Sequence, residues 1–285
     1  MRARVSEYEL VAAASLGEAL DVLQSNEGWR PIAGGTDLMV LFNAGKLPYQ
    51  RLVSIHELPE LREIKASGEH VLIGAAATYS EIRNHPILKI EFPLLCQAAS
   101  WTGAIANQNR GTLGGNIANA SPAADSSPML LVYDAELELA SSTGTRWLPY
   151  RSFHLGYKQM QLRGDELITR IRLPRASKER VQYGRKVGTR KAQAIAKVCF
   201  AAIAERNDGG LRNVRIGVGS VAPVPLRCRE TERLLEDRAL TPSAIAEAKE
   251  AISRDIRPIT DIRSTERYRA QVTANLLGEF LESLR

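Results

Sequence analysis

Cysteine is scarce in this sequence of 285 residues, and its scarcity excludes several kinds of site. The three cysteines, Cys96, Cys199 and Cys228, stand singly, with no C-x-x-C pair and no clustered histidine beside them. Disulfide frameworks need paired cysteines, while zinc sites and iron–sulfur clusters need several cysteines or histidines at short spacing. We therefore expect the chain on its own to hold no disulfide framework and no metal site.

Long apolar runs are also missing. A membrane-spanning helix needs roughly 20 apolar residues in succession, and no stretch of the sequence approaches that length. The opening residues MRARVSEYEL lack the apolar core of a secretory signal. We therefore expect no membrane span and a cytoplasmic location.

Aromatic residues make up only 6% of the chain, which bears on the meaning of its net charge of +6. Nucleic-acid-binding proteins combine a basic surface with recognisable motifs and often with stacking aromatics. The basic residues here concentrate toward the C-terminal half, for example in RKVGTRK from Arg185, and no such motif accompanies them. Solvated faces with an acidic partner or an anionic ligand account for the charge, so we expect no nucleic-acid partner.

The sequence does contain a mixed order of strand and helix signals. Ser15 and Glu18 form a capping box ahead of the helical segment LGEALDVLQ. An apolar strand from Trp29 runs into the glycine-containing segment AGGTDL. The polar, turn-prone stretch PRASKER after Leu173 predicts a boundary between two domains, 1–175 and 176–285.

Two glycine pairs are the strongest candidates for a binding site, one in AGGTDL (33–38) and one in GTLGGN (111–116). Neither matches the dinucleotide fingerprint G-x-G-x-x-G or the Walker pattern with its lysine. Paired glycines nevertheless let backbone amides approach an anion with no Cβ in the way. Hydroxyl and amide side chains nearby can add neutral hydrogen bonds. The pattern therefore predicts a diphosphate held without a lysine, and two plain tight turns would have the same composition.

The second pair belongs to an unusual stretch, TLGGNIANASPAAD, from Thr112 to Asp125. Its side chains are small and almost uncharged, with one carboxylate at the far end. We expect a loop that contributes little to the core and whose chemistry lies largely in its backbone.

At these residues the sequence resembles the FAD-binding medium subunit of molybdenum hydroxylases, the family that includes xanthine dehydrogenase and carbon monoxide dehydrogenase. The likeness includes AGGTDL and TLGGNIANASPAAD, and it continues through GDELITRIRLP, RKVGTRKAQAIAKV and DIRSTERYRAQVTANLL. It therefore covers most of the chain in the expected order. The implied fold class is α+β: a two-subdomain FAD-binding domain of the PCMH type, with subdomains at about 1–55 and 56–175. A C-terminal domain with a three-stranded antiparallel sheet and helices follows it.

The resemblance also implies which residues contact the cofactor. The first loop would hold one side of the FAD diphosphate through its amides and the Thr36 hydroxyl, and the second loop would hold the other side. Asp125 would lie near the flavin or the ribityl chain, Ile168 against a cofactor ring, and Lys186 beside the isoalloxazine, where a cation favours electron-rich flavin. The full implied set is Ile32, Ala33, Gly34, Gly35, Thr36, Asp37, Leu38, Gly103, Thr112, Gly114, Gly115, Asn116, Asn119, Ser121, Asp125, Ile168 and Lys186.

The implied function is electron transfer through noncovalent FAD, with no catalytic residue of this chain acting on the hydroxylated substrate. In the family, a large molybdenum subunit oxidises the substrate and a small subunit with [2Fe-2S] clusters relays the electrons. The flavin subunit then delivers them to NAD or another acceptor, and we expect a dimer of such heterotrimers. The sequence leaves open the substrate, the final acceptor and the role of Asp125.

Two other functions fit parts of the same pattern. One is a self-contained flavin oxidase or reductase of the same FAD-binding superfamily, which would need its own catalytic base. The histidines His56, His70, His85 and His154 are isolated, and we interpret them as surface or core residues. The other is a nucleotide-binding module that uses the glycine loops without redox chemistry.

Overall fold

The computed structural model of the protein describes residues 4–25, 27–176, 179–190, 192–207 and 209–285. Two residues of the predicted boundary segment, Ser177 and Lys178, lie outside the described residues, as does Lys191 of the RKVGTRK segment. None of the helices in these ranges combines the length and the apolar character that crossing a bilayer requires.

The first unit is a parallel three-stranded sheet in the order β1-β3-β2, with helices in the connections. Ser15 Oγ accepts a hydrogen bond from the Glu18 amide at 3.1 Å, and the Glu18 carboxylate accepts one from the Ala14 amide at 2.7 Å. The predicted start of the first helix is thus confirmed. The elements are β1 (Glu9–Ala12), α1 (Leu16–Gln24), β2 (Trp29–Ile32), α2 (Leu38–Asn43) and β3 (Arg51–Ser54).

The second unit is an antiparallel five-stranded sheet in the order β4-β5-β10-β6-β7, covered by short helices. Its strands are β4 (Ile64–Ser67), β5 (His70–Gly74), β6 (Glu136–Ser141), β7 (Gly144–Pro149) and β10 (Leu167–Pro174). A small hairpin of β8 (His154–Gly156) and β9 (Gln159–Met160) stands apart. The helices of the second unit are α3 (Tyr79–Asn84), α4 (Pro86–Glu91), α5 (Pro93–Trp101), α6 (Ile105–Gln108), α7 (Leu113–Ala118) and α8 (Ser127–Val132).

The C-terminal unit is an antiparallel sheet in the order β11-β12-β13-β14 with three helices. The expected three-stranded sheet is confirmed in its three long strands, and the two-residue β14 adds a short fourth strand at one edge. Thr241 Oγ1 caps α10 by accepting a hydrogen bond from the Ala244 amide at 3.1 Å. The elements are β11 (Val181–Val187), β12 (Val198–Asn207), β13 (Gly210–Gly219), β14 (Leu226–Arg227), α9 (Arg229–Leu235), α10 (Pro242–Asp255) and α11 (Glu266–Glu282).

Strand β12 joins the C-terminal unit to the second unit, because both of its faces are buried. Cys199, Ala201 and Ile203 lie in the core that the second unit supplies, whereas Phe200 and Ala202 lie in the core under the C-terminal helices. Alternate residues of a strand point to opposite faces, so one apolar run serves two cores. This contact brings β11, the neighbour of β12, against the second unit.

The stretch from Thr112 to Asp125 differs from the expected loop. Residues 113–118 form α7, and Leu113 and Ile117 are fully buried in the main core. The expectation that this stretch contributes little to the core is therefore wrong. The physical reason is close backbone approach: a Cβ on Gly114 would lie 2.6 Å from the Cβ of Ala75, so the small residues let α7 sit directly on the chain after β5.

Candidate functional site

The two glycine loops, distant in sequence, are in direct contact. An ideal Cβ on Gly34 would lie 1.8 Å from the carbonyl oxygen of Arg110, and one on Gly111 would lie 3.3 Å from Thr36 Oγ1. No real Cβ could occupy the first of these positions without moving a backbone. Glycine at position 34 is therefore required by the contact between the loops.

The first loop presents backbone amides that have no acceptor. Within the described part of the chain, the amides of Gly34, Gly35, Thr36 and Asp37 donate to no other protein atom. Gly35 has φ +71, a left-handed conformation that favours glycine. Neighbouring amides in such a turn form a concave site suited to an anion. Ile32, Ala33 and Leu38 flank these amides, and all three are half-buried.

The amides of the second loop are used inside the protein. The Gly114 amide donates to the Ala75 carbonyl at 2.8 Å, and the Gly115 amide donates to Thr112 Oγ1 at 3.1 Å, which caps α7. The expectation that this loop also offers its backbone donors to a diphosphate therefore needs correction at these two residues. Gly115 itself is exposed, so a ligand can still approach its Cα.

The second loop offers side chains instead. Asn116 Oδ1 accepts from Ser126 Oγ at 2.7 Å, and Asn119 Oδ1 accepts from Lys158 Nζ at 2.6 Å. Each amide side chain has its NH2 group left over among the described hydrogen bonds, and that group is a donor. Ser121 Oγ accepts from the Ala123 amide at 3.3 Å, which shapes the turn after α7.

Gly103 occupies a bend between α5 and α6. Its φ is +61, and a Cβ there would lie 2.7 Å from the Cβ of Asn107. Both the backbone conformation and the space require glycine. The carbonyl of Trp101, two residues earlier, accepts a hydrogen bond from Lys186 Nζ.

Asp125 and Lys186 form a buried ion pair between the second unit and the C-terminal unit. Lys186 Nζ donates to Asp125 Oδ2 at 2.6 Å and to the Trp101 carbonyl at 3.0 Å. The side chain of Lys186 is 2% exposed and that of Asp125 is 9% exposed. Burial raises the pKa of Asp125 to about 6, although the Lys186 ammonium opposes that rise. The partner of Asp125, which the sequence left open, is Lys186.

Two buried polar atoms beside this pair lack a partner among the described residues: Asp125 Oδ1 and the Tyr79 hydroxyl. Tyr79 is tied to the second loop, because its amide donates to the Gly111 carbonyl at 3.1 Å. Burial also raises the pKa of the Tyr79 phenol. A buried polar atom left without a hydrogen bond costs roughly 1–3 kcal/mol. Such atoms suit a polyhydroxylated ligand, and the ribityl chain of FAD is one.

Ile168 lies on β10, where its side chain is 4% exposed and packs in the same core as Leu113 and Ile117. Helix α7 packs on β10, so Ile168 lies beneath the second loop rather than on an open surface. Its contact with a cofactor ring remains a prediction.

Several residues of the site have no signal in the sequence. Arg110 and Trp101 each contribute a backbone carbonyl oxygen. Lys158 lies in the turn of the β8–β9 hairpin, where its φ is +57, and its side chain reaches Asn119. Tyr79 follows Thr78, which caps α3 together with Glu81. That capping box predicts a helix start, yet nothing local predicts a buried hydroxyl beside a glycine loop.

The histidines do not converge on a nucleophile. Burial lowers the pKa of His56 and of His154, and His154 Nε2 lies 3.1 Å from the Ile117 carbonyl oxygen. Over the described ranges, no group of three or more His, Cys, Asp or Glu side chains could hold a metal ion.

Two family models account for nearly all of the chain. Residues 6–176 match the FAD binding domain in molybdopterin dehydrogenase, and residues 184–284 match the CO dehydrogenase flavoprotein C-terminal domain. The chain therefore belongs to the family of FAD-binding domains of molybdopterin dehydrogenases, and its cofactor is FAD. The resemblance found in the sequence is confirmed.

Individual relatives agree along most of their length. The chain is 32% identical over 259 residues to the xanthine dehydrogenase FAD-binding subunit of Escherichia coli O157:H7, covering 90% of this chain and 89% of that protein. It is 30% identical over 266 residues to the glyceraldehyde dehydrogenase medium chain of Sulfolobus acidocaldarius, covering 93% and 94%. A structure of carbon monoxide dehydrogenase from Hydrogenophaga pseudoflava matches with a TM-score of 0.92 at 27% identity, covering 97% of this chain and 96% of that one. The expected fold class is confirmed with it.

Proposed function

We propose that the chain is the electron-transfer subunit of a molybdenum hydroxylase complex. It would receive electrons from a partner subunit with [2Fe-2S] clusters and pass them through FAD to NAD or another acceptor. The observation that carries the proposal is the row of acceptor-free amides from Gly34 to Asp37, and the buried Lys186–Asp125 pair supports it. One site thus provides for a diphosphate, and the other provides a fixed cation for a redox-active ring.

The residues of the chain would bind and orient the cofactor. The first-loop amides and the Thr36 hydroxyl would hold the diphosphate, with the NH2 groups of Asn116 and Asn119 as further donors. Asp125 Oδ1 would accept a hydrogen bond from the ribityl chain, and Lys186 would lie beside the isoalloxazine. When bound, FAD supplies an acceptor that takes electrons singly or in pairs.

Electrons would have to reach this site from outside the chain. Cys199 and Cys228 are buried and Cys96 is half-buried, and burial raises the pKa of all three thiols, so none is a ready redox group. Several relatives are named as medium chains, a name given within sets of larger and smaller chains. We therefore propose large molybdenum and small [2Fe-2S] partners, a dimer of heterotrimers, and a cytoplasmic location. The substrate would be chosen by the large subunit.

The test begins with the purified full chain. We expect a flavin spectrum whose chromophore is released into the supernatant by acid precipitation, as noncovalent FAD is. Flavin that stays with the precipitate would favour the self-contained oxidase or reductase, and a chain without affinity for FAD would contradict the proposal. Co-expression with the neighbouring genes should then yield a complex that contains molybdenum and iron. Bleaching of the flavin by NADH would identify NAD as the acceptor.

A further inference from the structure

The Lys186–Asp125 pair crosses the junction between two units, because Lys186 lies on β11 and Asp125 follows α7. Both side chains are almost fully withdrawn from water. A buried ammonium loses its hydration, and without a counter-charge it tends to release its proton. The carboxylate of Asp125 therefore allows Lys186 to remain a cation inside the protein.

The same contacts fix the direction of the ammonium group. Of its three N–H donors, one is directed to Asp125 Oδ2 and one to the Trp101 carbonyl. Among the described hydrogen bonds the third N–H has no acceptor, so it could donate to a bound group. Asp125 is itself anchored from the C-terminal sheet, because Cys199 Sγ donates to its backbone carbonyl at 3.6 Å and Cys199 pairs with Lys186 between β11 and β12.

We propose that Asp125 is a positioning residue for Lys186, and that the two side chains together set the reduction potential of the bound flavin. The inference rests on the proposed function, since it requires FAD with its ring beside Lys186. In this arrangement the ring would face the fixed ammonium group of an ion pair, and not a mobile cation. A cation near the ring favours the reduced, electron-rich flavin and so raises the potential. Asp125 therefore raises the potential indirectly, because it keeps Lys186 protonated and fixes the direction of its ammonium group.

The test measures the reduction potential and the FAD dissociation constant of the full, FAD-loaded chain. Asp125→Asn keeps the shape of the side chain and one acceptor but removes the counter-charge that keeps Lys186 protonated, so the potential should fall. Lys186→Met should lower it as well. The double variant should have a potential close to that of Lys186→Met alone, because Asp125 acts through Lys186.

A matched control is available in Glu232→Gln. Glu232 belongs to another buried ion pair, with Arg227 Nε at 2.5 Å from its Oε1, next to β14 at the opposite edge of the same sheet. The Glu232→Gln variant should leave the flavin potential unchanged. That result would show that loss of a buried carboxylate elsewhere in the domain does not change the potential.

Other results would contradict the inference about Asp125 and Lys186. A ligand-binding group that holds oxidised and reduced flavin equally leaves the potential unchanged. If Asp125→Asn weakens FAD binding but does not move the potential, Asp125 is only a ribityl ligand and the inference is wrong. Should that variant fail to fold, an unchanged potential in Lys186→Met would overturn it as well. An unmodified chain that binds no FAD would overturn the proposed function, and this inference with it.

Discussion

Gly34 and Arg110 approach so closely that a Cβ on Gly34 would lie 1.8 Å from the Arg110 carbonyl oxygen and 2.5 Å from its carbonyl carbon. Both neighbours are backbone atoms, which cannot rotate out of the way. The two glycine loops are thereby held side by side before any ligand binds. The contact gives Gly34 a role in addition to that of its free amide.

The first prediction concerns this contact. Gly34→Ala should separate the two loops, lower the free energy of unfolding by roughly 1–3 kcal/mol as an overpacked site does, and weaken FAD binding. Thermal unfolding and FAD titration would measure the two effects. Gly164→Ala is the control, because a Cβ at Gly164 meets nothing within 4 Å. Equal behaviour of the two variants would show that the loops can move apart without consequence.

The second prediction separates two adjacent glycines. A Cβ on Gly114 would lie 2.6 Å from Ala75 Cβ and 2.8 Å from its carbonyl oxygen, whereas one on Gly115 meets only Thr112 Oγ1 at 2.8 Å. Gly114→Ala should therefore destabilise the fold by roughly 1–3 kcal/mol. Gly115→Val should stay folded, lose about 1 kcal/mol of capping energy at most, and lose FAD because its side chain blocks the exposed face of the loop.

Unfolding curves and the flavin-to-protein ratio after purification distinguish these outcomes. Retention of a full complement of FAD by Gly115→Val would mean that the cofactor does not pass over this glycine.

The sequence was sufficient for the parts of the fold that depend on local patterns. The helix after Ser15 and the strand from Trp29 both occur where the capping box and the apolar run predict them. These signals involve residues that are close together in the sequence, so they can be recognised without the three-dimensional structure. The family resemblance added the cofactor and the fold class for the same reason, since its motifs are contiguous.

The stretch from Thr112 to Asp125 shows where local reasoning failed. Two adjacent glycines lower helix propensity by roughly 1 kcal/mol each relative to alanine, so the pattern favoured a loop. Burial of Leu113 and Ile117 and the cap from Thr112 offset that loss. Tertiary packing thus decided the conformation, and it also decided that the Gly114 and Gly115 amides would be used internally.

The partnership of Asp125 with Lys186 could not be predicted either. Sixty-one positions separate them in sequence, and they meet where β12 and its neighbour β11 pack against the second unit. A resemblance can assign each residue to the cofactor separately, as it did here. It takes the three-dimensional contact to show that the cation is neutralised by the carboxylate.

A third prediction concerns pH and His154. Burial lowers the pKa of its imidazole below the ordinary value of 6.5, so the folded protein prefers the neutral ring. Stability from this residue is fully present above pH 6.5 and is lost as the pH falls toward the lowered value. The free energy of unfolding of the unmodified protein should therefore fall relative to His154→Gln between pH 7.5 and 5.

Comparison of the two proteins at each pH isolates His154, because His56 and the carboxylates titrate in both. A difference that stays constant over this range would show that His154 titrates normally in the folded chain.

The last prediction concerns another ionic link between the units. Arg227 has a 5% exposed side chain and pairs with Glu232 and, at 2.7 Å, with Asp134 at the end of α8. Removal of one partner leaves a buried charge uncompensated, which costs about 3–5 kcal/mol. We expect Arg227→Met to approach that loss in urea unfolding, reduced because Arg229 also reaches Glu232 at 3.2 Å.

Arg175→Met is the matched comparison, because Arg175 pairs with Glu91 at 2.8 Å but is 42% exposed. Solvated pairs contribute little to stability, so this variant should unfold almost as the unmodified protein does. Adding Glu232→Gln to Arg227→Met should recover part of the lost stability, since the orphaned carboxylate is then gone. If the double variant is instead less stable than Arg227→Met alone, the uncompensated Glu232 charge is not the cause of the loss, and packing of the Arg227 side chain against the end of α8 must account for it.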